Sequence, residues 1–145
     1  MQPLISIVIP TRNSANTLDS CLQSIVNQTY PNTELVIVDS HSTDETIEIA
    51  REYSAKIIET QWGLLGARFL GFKASKGDYI LYLDSDQILA YSNVLQRSLS
   101  MFSNNDMLCL EEESSRIDSF LQKLIAADRK LVSSGKEILI LFQAS

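Results

Sequence analysis

Histidine and cysteine are scarce in this chain, with one and two copies among 145 residues, and neither occurs at a spacing that builds a metal site or a disulfide framework. Cys21 and Cys109 lie far apart, form no CxxC pair and sit inside apolar patterns, where a free cysteine behaves as a small hydrophobe; buried thiols are expected. His41 stands in a polar turn with no partner at ligand spacing, which suits a solvated side chain better than a catalytic one. Clustered lysine and arginine are missing too, and a net charge of −6 excludes a nucleic-acid partner while suiting a site that recruits a cation. The longest unbroken apolar run, Ile138 to Phe142, falls far short of the ~20 residues a membrane-crossing helix needs. The first residues lack the basic segment, apolar stretch and small-residue cleavage site of a secretory signal, so the cytoplasm is the expected compartment.

What is present describes an ordinary globular protein of one domain: 45% of residues are hydrophobic and 21% charged. At this length a chain buries roughly two thirds of its unfolded surface around one core. Ile5 to Ile9 reads as a first buried strand stopped by Pro10; Asn16 then caps a helix whose Leu18, Leu22, Ile25 and Val26 recur at helical spacing until Tyr30-Pro31-Asn32 turns the chain. Leu35 to Val38 reads as a second strand, leading through the polar turn Asp39 to Asp44 into a helix with Ile47 and Ala50 inward. Lys56 to Glu59 is a third strand, followed by a helix with Ala67, Leu70, Gly71 and Ala74 on one side. Tyr79 to Leu83 is a fourth strand running straight into Asp84-Ser85-Asp86, with a helix from Asn93 to Phe102 and a strand from Met107 to Leu110 beyond. An amphipathic helix carrying Ile117, Phe120, Leu121, Leu124, Ile125, Leu131 and Val132 closes the series. Strands alternating with helices predict an α/β fold: a doubly wound, mostly parallel sheet with helices on both faces.

In such sheets ligands bind beyond the carboxyl ends of the strands, which makes Thr11, Arg12, Asp39 and Asp84 to Asp86 the residues to watch. Asp84 and Asp86 are two apart, and extended geometry would project both carboxylates to one side, where they could hold a hard cation. Magnesium or manganese fits, because magnesium often takes one or two protein carboxylates and completes its shell with phosphate and water.

Five motifs in register resemble the family 2 glycosyltransferases of GT-A fold, over roughly residues 4 to 90: Ile5 to Asn13; Leu18 to Tyr30 with Pro31; Leu35 to Ser40 with Ser42-Thr43-Asp44; Gly66-Ala67-Arg68 with Gly71; and Gly77 to Ile80 leading to the DxD motif Asp84-Ser85-Asp86. The resemblance implies that Pro10, Thr11 and Arg12 line a nucleotide pocket and that Asp39 accepts hydrogen bonds from the base. It likewise implies that Asp84 contacts the ribose or supports the metal, that Asp86 ligates Mg2+ or Mn2+, and that Arg68 approaches as a fixed cation able to face a diphosphate. On this basis residues 1–110 are a nucleotide-sugar-binding core and 111–145 an incomplete start of an acceptor-side region.

Two positions depart from the pattern: Phe69 replaces the usual Asn, and Gln87 follows Asp86 where another acid is frequent. The general base that an inverting transfer needs has only clustered candidates, Glu112 and Glu113 beside Glu111, after the last predicted strand. The donor suggested by the resemblance is a nucleoside-diphosphate sugar, with uridine favoured, and the acceptor a glycan or polyprenyl-phosphate-linked molecule. Ala126 to Lys136 resembles a region of members acting on lipid-linked acceptors, which suggests peripheral association with the inner face of the membrane. Full-length members continue further, so Ile138 to Phe142 is expected to be a strand without neighbours, or a reading changed by frameshift, and an exposed apolar tail would promote self-association. The competing function is a non-catalytic remnant that binds nucleotide sugar or a partner only. A nucleotidyltransferase-like enzyme fits poorly, since Pro10 to Asn16 holds no glycine.

Overall fold

The computed structural model describes residues 2–102, 107–110 and 139–143. Its elements run β1 (Ile5–Thr11), α1 (Ala15–Val26), β2 (Thr33–Asp39), α2 (Thr46–Glu52), β3 (Lys56–Glu59), α3 (Leu64–Ala74), β4 (Tyr79–Tyr82), α4 (Val94–Met101), β5 (Met107–Leu110) and β6 (Leu139–Gln143). Every residue of β1 is buried, as its run of branched side chains requires of a strand covered on both faces. Alternation then divides the core. Ile5, Ile7, Ile9, Ile37, Leu81 and Leu83 meet Leu18, Cys21, Leu22 and Ile25 of α1 with Ala50 of α2 and Leu95 of α4, while Val8, Val36, Val38 and Ile80 meet Ala67 of α3 on the other face. Among the described residues the first cluster holds fifteen buried members and the second five. Each buried aliphatic contributes about 1.5–3 kcal/mol, so the α1 face supplies most of the hydrophobic stability.

The sheet order is β3-β2-β1-β4-β6-β5, with β3, β2, β1 and β4 mutually parallel and β6 antiparallel to both β4 and β5. The expected α/β fold is present, and β6 corrects one expectation. The backbone of Leu139 to Gln143 is paired on both edges, with Ile80 opposite Phe142 and Leu108 opposite Leu141, so this strand has neighbours. Glu111 to Glu113, the helix expected from Ile117 to Val132 and the stretch Ala126 to Lys136 lie outside the described residues.

Three local expectations also change. Pro10 does not stop β1, because strand pairing continues to Thr11 opposite Asp39. Val8 O accepts from Leu83 N and Thr11 O from Ser40 N, so by alternation Pro10 faces the β4 side, past the end of β4, where a missing N–H breaks no ladder bond. The cap of α1 is not Asn16. Asp44, from the next loop, accepts from Ala15 N at 3.0 Å and from Thr46 N at 3.1 Å, so one carboxylate serves the starts of α1 and α2. In α2 the buried residues are Thr46 and Ala50; Ile47 is half-buried and outside the core cluster, where Ile49 packs instead.

Gly71 sets the height of α3 above the sheet: a Cβ there would lie 2.2 Å from Val8 Cγ1 and 3.3 Å from Val38 Cγ2, both on fully buried, stiff side chains. Gly71→Ala gains about 1 kcal/mol of helix propensity but overpacks the core by about 2–3 kcal/mol, the upper part of the usual range because both valines are stiff and fully buried, so a net loss of roughly 1–2 kcal/mol is expected in urea unfolding. An unchanged or raised midpoint would show that α3 is not held this close. A second outcome concerns acid. The Thr46 hydroxyl, then the Ala15 and Thr46 amides, hold the Asp44 carboxyl below its ordinary 3.8, a lowering that partial desolvation opposes. That contribution is present above pH 3.8 and is lost as pH falls through the depressed folded value, so Asp44→Asn should flatten the acid limb of a stability–pH curve. Equal acid sensitivity in the two proteins would remove Asp44 from that role.

Candidate active site

The carboxyl ends of β1, β2 and β3 are level, since Thr11 pairs with Asp39 and Asp39 with Glu59, whereas β4 ends opposite Val8, three residues short of Thr11. The early end of β4 lies beside β1 at the point where strand order reverses, the usual ligand position in an open α/β sheet. A cleft of about 380 Å³ opens at the level ends, lined by Pro10, Thr11 and Arg12, by Ser40 and His41, and by Thr60 to Leu64 with Ala67. Pro10, Thr11 and Arg12 lie together on this lining.

Asp39 sits differently. It exposes 1% of its surface and is not on the lining; its carboxylate accepts from the Thr11 hydroxyl at 2.8 Å and from the amide and hydroxyl of Ser42. Next to it the two loops are joined again: Asn13 N donates to Ser42 Oγ, Thr43 N donates to Asn13 Oδ1, and Ser14 N donates to Thr46 Oγ1 at 2.7 Å. Asn13 and His41 adopt left-handed backbone at φ 50° and 54°, a conformation glycine would take without strain, and the bonds to Ser42 and Thr43 hold Asn13 there.

Asp84 and Asp86 do not continue in extended geometry. Gln87 N donates to Asp84 O at 3.0 Å and Asp84 N donates to Gln87 Oε1 at 2.8 Å, which closes residues 84–87 into a turn; alternation along a strand therefore does not relate the two carboxylates. Gln87, the departure from the acidic pattern, supports the turn with its side-chain oxygen. Ser85 Oγ bonds Ser14 Oγ at 2.9 Å, tying the turn to the start of α1. Arg68 Nη2 donates to Asp84 Oδ1 at 2.8 Å in a partly exposed pair, its guanidinium carbon lies 6.0 Å from the Tyr82 ring centroid, and its Nε is buried with no acceptor among the described residues. Asp86 is exposed and makes no hydrogen bond or ion pair to a described residue.

Among the described residues no three His, Cys, Asp or Glu side chains converge as a complete metal cage. The donor set at the turn still suits a hard cation that keeps water and phosphate ligands: Asp86 is uncommitted, and Asp84 Oδ2 lacks a partner among the described residues. Phe69, the other departure, projects outward at 55% exposure on α3. Reasoning from the sequence passed over Trp62, which lines the cleft from the loop after β3; only its being the single tryptophan marked it.

A model of glycosyl transferase family 2 matches residues 6–123. The chain belongs to that family. It is 33% identical over 143 residues to an uncharacterised glycosyltransferase of Haemophilus influenzae, covering 94% of this chain and 55% of that protein. Identity is 34% over 109 residues, 72% of this chain and 43% of the relative, to the UDP-Glc:alpha-D-GlcNAc-diphosphoundecaprenol beta-1,3-glucosyltransferase of Escherichia coli. The chain therefore spans about half the length of the curated relatives it matches. Among solved structures it is similar to Staphylococcus aureus TarS 1-349 in complex with UDP, at TM-score 0.72 and 25% identity, covering 79% of this chain and 37% of that one. The mannosyltransferase of Pyrobaculum calidifontis in complex with GDP-Man and Mn2+ shares the GT-A fold at TM-score 0.74 and 22% identity, covering 99% and 45%.

Cys21 lies under the Asp84 turn, fully buried, with Sγ 3.7 Å from Asp84 O. Burial first, then the Asp86 and Asp84 charges, push its thiol from 9.0 up to about 12. The protonated thiol is thus favoured by folding below pH 9.0, and that contribution is lost as pH rises toward 12. In a Cys109→Ala background, a thiol reagent at pH 8 should label Cys21 only after denaturant is added; rapid labelling of the native protein would contradict the buried, protonated state.

Proposed function

We propose that this family 2 chain carries the donor half of an inverting, metal-dependent transfer of a sugar from a nucleoside-diphosphate sugar to a glycan or polyprenyl-phosphate-linked acceptor. The observation that carries the proposal is the Asp84-Ser85-Asp86 turn, held by Arg68, Gln87 and Ser14 beside a cleft that Pro10, Thr11 and Arg12 line. UDP is the favoured donor nucleotide, in line with the printed donor of the E. coli relative and the UDP complex of TarS. The base and ribose occupy the cleft. Asp39, buried behind the wall, supports the cleft by accepting from Thr11 in the lining and from Ser42 behind it, and does not itself face the base.

Asp86, with Asp84, would hold Mg2+ or Mn2+, whose charge supplies neutralisation of the departing diphosphate. Arg68 adds a cation at the same place: its Nε needs an acceptor, and a buried donor without one costs about 1–3 kcal/mol, which a phosphate oxygen would recover. Glu112 and Glu113 are the proposed sources of the general base for the acceptor hydroxyl. The E. coli relative's printed acceptor is a diphosphoundecaprenol, so a lipid-linked acceptor presented at the inner face of the membrane is the favoured choice. No helix among the described residues is long and apolar enough to cross a membrane. Peripheral association is the mode proposed, in line with a lipid-linked acceptor.

Calorimetric titration of UDP with and without Mn2+, on the native chain and on Asp86→Ala, tests the donor site. Binding that requires the metal and weakens at least about tenfold in the variant is expected, equivalent to about 1.4 kcal/mol. A folded native chain that binds no nucleotide would favour the non-catalytic reading.

A further inference from the structure

We infer that Trp62, seated on Gly66, is the platform on which the donor's nucleobase stacks. The inference rests on the donor-site reading above and assigns one wall of that cleft. Trp62 is 56% exposed although its side chain is the largest apolar surface in the lining, and a planar ligand would cover it. Of the described lining residues only Trp62 and His41 carry aromatic rings. Arg12 is the one charged side chain on the described lining, whereas Arg68, Asp84 and Asp86, which take the diphosphate and metal in that reading, lie off it, so the base is the part of the ligand placed to meet the indole.

The indole is held before any ligand arrives. Trp62 N donates to Thr60 Oγ1 at 3.0 Å, and its carbonyl accepts from Ser40 Oγ at 3.2 Å, which ties the loop after β3 to the end of β2. A Cβ built on Gly66 would lie 2.4 Å from Trp62 Cβ and 3.1 Å from both Cγ and Cε3, so the ring rests on bare helix backbone that no other residue would offer. A ring fixed in this way loses little freedom on binding, and stacking on it accepts any base, because every base has a π face. Gly66 is on this account a positioning residue: it acts through Trp62.

The single tryptophan makes the contact directly observable. Emission excited at the red edge of the indole band should be quenched by UDP, with a midpoint matching the calorimetric one, and should not change with inorganic pyrophosphate, which has no base. Trp62→Ala should weaken calorimetric UDP binding about 5- to 30-fold, Trp62→Phe should retain most of it, and Gly66→Ala should weaken it while shifting the emission of the displaced indole. Far-ultraviolet circular dichroism checks that each variant is folded. Native affinity in folded Trp62→Ala, with UDP still bound by the native chain, overturns the platform and leaves the donor site standing. Failure of the native chain to bind UDP overturns both.

Discussion

A buried carboxylate organises this end of the molecule. Asp39 closes β2, and its oxygens accept from Thr11 at the end of β1 and from both the amide and hydroxyl of Ser42 in the following loop. A charged group taken from water must be fully engaged by donors or it destabilises the fold, so the two loops are compelled to meet around it. From that junction the bonds of Asn13, Ser14 and Asp44 follow, and with them the starting points of α1 and α2. Pro10, Thr11, Arg12, Ser40 and His41 line the cleft because those loops cannot separate.

On the other face of the sheet the controlling feature is closeness. Val8 fills the space that a side chain at Gly71 would need, and Trp62 fills the space at Gly66. Helix α3 thereby serves two ends of the site: its first turn supports the cleft wall, while Arg68 reaches Asp84 and the Tyr82 hydroxyl donates back to the Arg68 carbonyl. The short β4 completes the arrangement, since it ends opposite Val8 and the turn at Asp84 starts short of the end of β1.

Much of this was legible in the chain. Strand residues were plain from branched runs such as Ile5 to Ile9 and Leu35 to Val38, and the carboxyl-end rule then singled out Thr11, Arg12, Asp39 and Asp84 without a structure. What stayed hidden depends on residues far apart in sequence. Asp44 caps α1 from twenty-nine residues away. Gln87 turns its amide back onto Asp84, and Leu139 to Gln143 enters the sheet between β4 and β5, where periodicity says nothing about neighbours. Trp62 was invisible as a site residue because a lone aromatic in a loop has no period to betray it.

The order of strands and helices, the faces they bury and the family to which they belong are properties of the sequence, because short-range periodicity and motif spacing are written along one dimension. Which carboxylate is buried as a clasp and which is left open, where Arg68 finds its partner, and what stands across the cleft from β1 were decided only in the tertiary structure. Those outcomes depend on distances between segments that the chain brings together by packing, and no local pattern records such a distance.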